Sequence, residues 1–170
     1  PQMSRFLYEE FLRALGFYAQ RWGGRIIEPL SSLPRRRFAE LALEFDRVAA
    51  DENFCSASQR VLPYFTRRVI GVGDQEIPAS GPLLIAANHP GTIDALVIAS
   101  MIRRPDLKVV VAGVPFIRNL PGVRRFLIYS SLDTHERMNV ARASIRHLRD
   151  GGALLIFPSG GIDPDPAING

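Results

Sequence analysis

The sequence predicts an α/β protein: a helical N-terminal segment over residues 1–67, then an α/β domain over residues 68–170 whose mixed, mostly parallel sheet is flanked by helices. Three observations carry this. Apolar residues recur at helical spacing through the first third of the chain. Short continuous apolar runs, among them Leu83 to Ala87 and Ala153 to Phe157, punctuate the remainder, and helical stretches alternate with them. Apolar runs without polar alternation suit strands covered on both faces, which is the setting of parallel sheets.

Taken in order, Phe6 to Trp22 places Phe6, Leu7, Phe11, Leu12, Leu15, Phe17 and Tyr18 on a helical repeat that stops at Gly23-Gly24. A second amphipathic helix is expected over Arg36 to Ala50, with Phe38, Leu41, Ala42, Phe45 and Val48 on one side, and a third over Ser58 to Arg67. The β-branched stretch Arg68 to Gly73 predicts a short strand, and a turn rich in Pro and Gly leads to the apolar strand Pro82 to Ala87. A buried helix follows over Ile93 to Met101, then strands over Lys108 to Ala112 and Phe126 to Tyr129. A helix over Glu136 to Asp150 and a strand over Ala153 to Phe157 complete the series. That last strand runs into a loop with no closing helix, so the α/β domain is expected to be incomplete at its C-terminus.

The chain has 170 residues, enough for one domain with a real core plus a helical appendage. Its net charge of +4 comes almost wholly from arginine, since Lys108 is the only lysine. The planar guanidinium fork matches phosphate oxygens, so the bias fits a phosphorylated ligand or an anionic membrane surface. Nucleic acid would match on charge alone, but the aromatics that stack on bases are not interleaved with the basic residues, and no nucleic-acid partner is expected. Arg103 and Arg104 read as solvated surface, and so does His147. A single cysteine, Cys55, cannot form an internal disulfide and suggests a reducing compartment or simple indifference to redox. Charges at Arg5, Glu9, Glu10 and Arg13 exclude a signal peptide or a span at the start. The expectation is a cytoplasmic protein with peripheral contact to the inner face of a membrane, the aromatic N-terminal helix supplying the apolar surface.

The chemistry concentrates after the strand Leu83 to Ala87, which runs directly into Asn88-His89-Pro90-Gly91-Thr92-Ile93-Asp94. In α/β sheets ligands bind at the carboxyl ends of strands, so His89 stands at a reactive position. Pro90-Gly91 permits a tight turn and Thr92 can cap the following helix, which lets Asp94 in its first turn reach the imidazole. A carboxylate there would fix the tautomer, and an imidazole so held can take a proton from an alcohol. This is the logic of a Ser-His-Asp triad with the hydroxyl supplied by the substrate. With one His, one Asp and no cysteine pair, the segment does not make a zinc site, and no metal or cofactor is expected.

Several segments resemble, in order, the motifs of the glycerolipid acyltransferase family, which includes the lysophosphatidic acid and glycerol-3-phosphate acyltransferases. Arg68 to Asp94 resembles that family's lead-in strand, turn, core strand and His-x4-Asp box. Gly113 to Leu127 is similar to the second block, Arg137 stands where a basic residue usually follows it, and Phe157-Pro-Ser-Gly is similar to the Phe-Pro-Glu-Gly motif. The resemblance implies transfer of an acyl group from acyl-CoA or acyl carrier protein to a hydroxyl of a glycerol-phosphate or lysophospholipid-like acceptor. It makes His89 the base and Asp94 its partner, and places Arg118, Arg137, Ser159 and Gly160 near the acceptor, with Arg137 the candidate for its phosphate. Arg124 and Arg125, inside the second block, are further candidates for phosphate contact. Backbone N–H groups near Gly91 or Gly160, or an arginine, would stabilise the oxyanion.

Two departures stand out: Ser159 replaces the family's Glu, and Gly161-Ile162 replaces the Thr-Arg that often follows. They put the glycerol-phosphate acceptor in question while leaving His89 in place. Two other readings compete. One is a non-catalytic module for anionic lipid. The other is a hydrolase with Ser159 as nucleophile, although Phe-Pro-Ser-Gly-Gly is not the Gly-x-Ser-x-Gly elbow.

Overall fold

The structure, a computed structural model, describes residues 32–112, 115–130, 134–161 and 163. The helix expected over Phe6 to Trp22 lies outside the described residues. The chain divides into two compact units, residues 1–44 and 45–170. In the first, the described residues form the start of helix α1 (Ser32–Asp51), where Arg36 and Glu40 make an exposed ion pair at 2.9 Å. One helical turn separates them, and such a pair contributes roughly 0.3 kcal/mol.

The second unit takes in the end of α1 and the rest of the chain. Helix α2 (Phe54–Val61) begins four residues earlier than its apolar pattern suggests, because Asn53, in extended conformation, accepts a 2.9 Å hydrogen bond from Ser56 N and so caps it. It ends in a 3-10 turn over Leu62–Tyr64 that contains Pro63, which has no N–H to continue the helix. The expected strand over Arg68 to Gly73 does not form. Gly71 and a left-handed Gly73 (φ 82°) interrupt it, and Ile70 and Val72 are 68% and 96% exposed, so the segment has neither a ladder nor a face to bury.

Four strands form one all-parallel sheet: β1 (Leu83–Ala86), β2 (Lys108–Ala112), β3 (Leu127–Ser130) and β4 (Ala153–Ile156), in the spatial order β1-β4-β2-β3. Between them run α3 (Asp94–Met101), the short helices α4 (Pro115–Arg118) and α5 (Pro121–Arg124), and α6 (Thr134–Arg149). The last strand in sequence therefore lies inside the sheet, with Leu83 opposite Ala153 and Ala86 opposite Ile156 on one side and Val109 opposite Leu155 on the other. Burial follows position: Ala153, Leu154 and Leu155 are buried, whereas β1 alternates between half-buried and exposed residues. This order also sets the loops that follow β1 and β4 side by side.

The core gathers Val48, Phe54, Ile102, Leu107, Val109, Val123 and Leu155. Phe54 sits edge-on to Phe45 at 5.4 Å and against Phe126 at 6.4 Å. Where α5 meets α1 a glycine is required, since a Cβ on Gly122 would run into the main-chain oxygen of Asp46 and lie 2.9 Å from the Ala50 methyl. The Asp46 carboxylate accepts from Val123 N at 2.9 Å at the same crossing.

The amino ends of the strands are tied together by two side chains that the sequence assigns to the surface. Arg104 is buried, 2% exposed. Its Nε and Nη2 donate to Asp106 at 2.8 and 2.6 Å, Nη1 to the carbonyls of Gly81 (2.7 Å) and Pro78 (3.3 Å), and Nη2 to that of Gly151 (2.8 Å). These partners precede β2, β1 and β4, so one guanidinium gathers the starts of three neighbouring strands. His147 is half-buried, and its Nε2 lies 2.9 Å from both Asp106 O and Ala153 O. Two carbonyls can only accept, so Nε2 carries the proton and shares it between them.

Cys55 is 4% exposed, its thiol donating to Arg104 O at 3.2 Å, and burial pushes that thiol up to about 11. Only the thiolate attacks alkylating reagents and disulfides. The folded protein should therefore fail to react with Ellman's reagent at pH 8 over an hour and release one equivalent of thiol on denaturation, a difference absorbance reads directly.

Candidate active site

Strand β1 ends at Ala86, and the chain turns through Asn88 to Gly91 before α3 begins. The turn is organised by Asp94, the first residue of α3, and not by Thr92. The helix is capped by Ile93 with no side-chain bond, while Asp94 Oδ2 reaches back to accept from Gly91 N at 2.7 Å. The same oxygen lies 3.0 Å from His89 Nδ1. A side chain at position 91 would crowd it, since a Cβ there would sit 3.1 Å from Asp94 Oδ1, so the glycine makes room for the carboxylate. Both side chains are partly shielded, at 23% and 20% exposure. An ionised carboxylate only accepts, so the pair sets the tautomer with the proton on Nδ1 and a lone pair on Nε2.

The opposite side of His89 is built from the loop after β4. The Phe157 ring stacks on the imidazole at 4.2 Å with 22° between the planes. Asp163 Oδ2 accepts from His89 N at 2.7 Å, and Asp163 N donates to His89 O at 2.8 Å. Phe157 enters the sequence reading only as the first residue of the Phe157-Pro-Ser-Gly segment, without a role, and Asp163 does not stand out at all. What brings both to His89 is the adjacency of β1 and β4, which is topological and not local.

Ser159 and Gly160 form the turn within this loop. Gly160 is left-handed (φ 71°) and its N–H donates to Phe157 O at 3.0 Å, while the exposed Ser159 Oγ donates to Gly161 O at 2.9 Å. The N–H groups of Gly91 and Gly160 are thus both engaged within the loops, so an oxyanion would look for its donors elsewhere, the arginines included. Arg118 closes α4 with its guanidinium 5.3 Å from the Tyr129 ring centroid, and Arg124 closes α5. The Tyr129 hydroxyl is buried without a hydrogen-bond partner among the described residues; burial pushes it up, against the pull of Arg124 and Arg118. Arg118 therefore stands over the Tyr129 ring of β3, and Arg124, from the helix that leads into the strand, acts electrostatically on the same phenol.

Arg125 is committed elsewhere: its Nη2 donates to the carbonyls of Ala49, Ala50 and Glu52 at 2.8, 2.9 and 3.2 Å, closing the end of α1, with the guanidinium over Phe126. Arg137 is exposed in the first turn of α6. A surface concavity lined by Asn53, Ser56, Gln59 and Arg103 lies beside Cys55 and Arg104 and does not include His89. No three His, Cys, Asp or Glu side chains converge on a metal-binding geometry among the described residues.

No curated protein and no solved structure gives a significant match to the chain. A model of the acyltransferase family matches residues 68–167, from the approach to β1 through the His89 and Asp94 turn to the loop after β4. That stretch is more than half of the 170 residues, and the chain belongs to this family, the glycerolipid acyltransferases.

Proposed function

We propose that the protein transfers a fatty acyl group from the thioester of acyl-CoA or acyl carrier protein to a hydroxyl of a glycerol-phosphate or lysophospholipid-like acceptor, with His89 as general base and Asp94 orienting it. One observation carries this reading: an imidazole at the carboxyl end of a parallel strand, with its Nδ1 3.0 Å from a carboxylate and its Nε2 lone pair left over. The acceptor O–H gives its proton to Nε2 as its oxygen attacks the thioester carbonyl. Asp94 stabilises the imidazolium that forms. Collapse of the tetrahedral intermediate breaks the C–S bond, and the departing thiolate takes the proton back, so no group on the protein is consumed.

Arg118, over the Tyr129 ring, and Arg124, which acts electrostatically on the same phenol, supply positive charge beside β3, three places across the sheet from β1, and suit the phosphate of an extended acceptor. Arg137 is a further candidate for that phosphate. Peripheral contact with the inner face of a membrane would bring a lysolipid to the site; among the described residues no helix is long and apolar enough to cross one. The hydrolase alternative gains nothing here, because Ser159 Oγ bonds Gly161 O and no hydrogen bond joins it to His89 among the described residues.

The test is thiol release from acyl-CoA and from acyl carrier protein against lysophosphatidic acid, glycerol-3-phosphate, other lysolipids and simple alcohols. Release should depend on an acceptor. Release into water alone, or labelling of Ser159 by a fluorophosphonate, would instead make the protein a hydrolase.

A further inference from the structure

We infer that Asp163 is a positioning residue, acting on the imidazole through the main chain of His89; the inference rests on the general-base reading of that histidine. Asp163 holds His89 by both of its main-chain polar groups: the carboxylate accepts from His89 N at 2.7 Å and the Asp163 N–H donates to His89 O at 2.8 Å. These bonds join residues 74 apart in sequence and fasten the loop after β4 to the loop after β1. The same fastening presents Phe157 to one face of the imidazole at 4.2 Å.

The histidine is thus fixed at two levels. Asp94 sets the ring through Nδ1, and Asp163 sets the backbone from which the ring projects. A side-chain bond to Asp94 leaves the main chain of His89 free to shift within the Asn88 to Gly91 turn; the paired bonds to Asp163 remove that freedom. The turn that delivers Asp163 depends on Gly160, at φ 71°, and on the bond from Ser159 Oγ to Gly161 O. In this chain Ser159, standing where the family has Glu, serves the path of the loop. A displacement of about 1 Å in a catalytic group can lower a rate about 10²-fold.

Asp163→Ala should therefore lower kcat about 10- to 100-fold with the KM for the thioester nearly unchanged and the melting temperature kept. Asp163→Asn, which retains an acceptor oxygen, should restore most of the rate. Amide hydrogen exchange at His89 should quicken in Asp163→Ala and stay slow in Asp163→Asn. Full activity of Asp163→Ala, or a loss of rate that follows a loss of melting temperature with His89 exchange unchanged, overturns the inference. Absence of transfer by the wild-type chain with every acceptor overturns the general-base reading instead, and the exchange measurement then decides the clamp by itself.

Discussion

Substitution of His89 by alanine is expected to lower acyl transfer about 10³- to 10⁴-fold while leaving the fold intact, because general-base assistance to an alcohol contributes on that order. The imidazole is partly exposed in a loop and fills no core cavity, so its loss removes chemistry without removing packing. Asp94→Asn should be nearly as damaging, about 10²- to 10³-fold, for a different reason. An amide can turn its NH₂ toward Nδ1 and hold the ring in the tautomer that has no lone pair on Nε2. It also loosens the Gly91 N–H, which the carboxylate holds at 2.7 Å. If the two residues act as one unit, the double variant will be no slower than His89→Ala alone. Steady-state rates of the three variants decide the point: additive losses would mean that Asp94 acts independently of the imidazole, and an active His89→Ala would require a different base.

How much of this was legible beforehand depends on whether the determining contacts are local. The strand β4 shows in the sequence because burial on both faces demands an unbroken apolar run, as in Ala153 to Leu155, and β1 and β2 show by the same apolar composition although one face of β1 is exposed. The His89 and Asp94 pair shows because five residues across a tight turn are enough to bring them together. The details of that turn do not, since Thr92 and Asp94 are both plausible caps and only the geometry tells which carboxylate oxygen reaches Gly91 N. Arg68 to Gly73 has the composition of a strand but no neighbour, and pairing is a property of the sheet. Phe157 and Asp163 meet His89 only because β4 inserts beside β1. Arg104 is the plainest case: a charge in a loop reads as solvated, and its partners at Pro78, Gly81 and Gly151 lie 26, 23 and 47 residues away.

That buried arginine carries a large expected effect on stability. Replacing Arg104 with methionine keeps most of its volume but strips hydrogen bonds from the carbonyls of Pro78, Gly81 and Gly151 and leaves Asp106 without its partner, an arrangement that typically costs about 3–5 kcal/mol. Asp106 is 39% exposed, so water takes up part of its loss and the three carbonyls bear most of it. Arg104→Lys should recover only part, since a single ammonium cannot span a carboxylate and three carbonyls at once. Urea unfolding should show a lower midpoint with an unchanged slope. The pH dependence provides an independent check. Hydrogen bonds from the Arg104 guanidinium hold the Asp106 carboxyl below its ordinary range, against the opposing effect of burial. A carboxyl lowered on folding contributes stability that is fully present above its unfolded value, near ~3.9, and is lost as pH falls through the lower native value. Wild type should therefore lose stability toward acid more steeply than Asp106→Asn, whose curve lies lower at neutral pH and converges with wild type in acid. Curves that stay parallel down to acid pH would show that the guanidinium is held by its carbonyls alone.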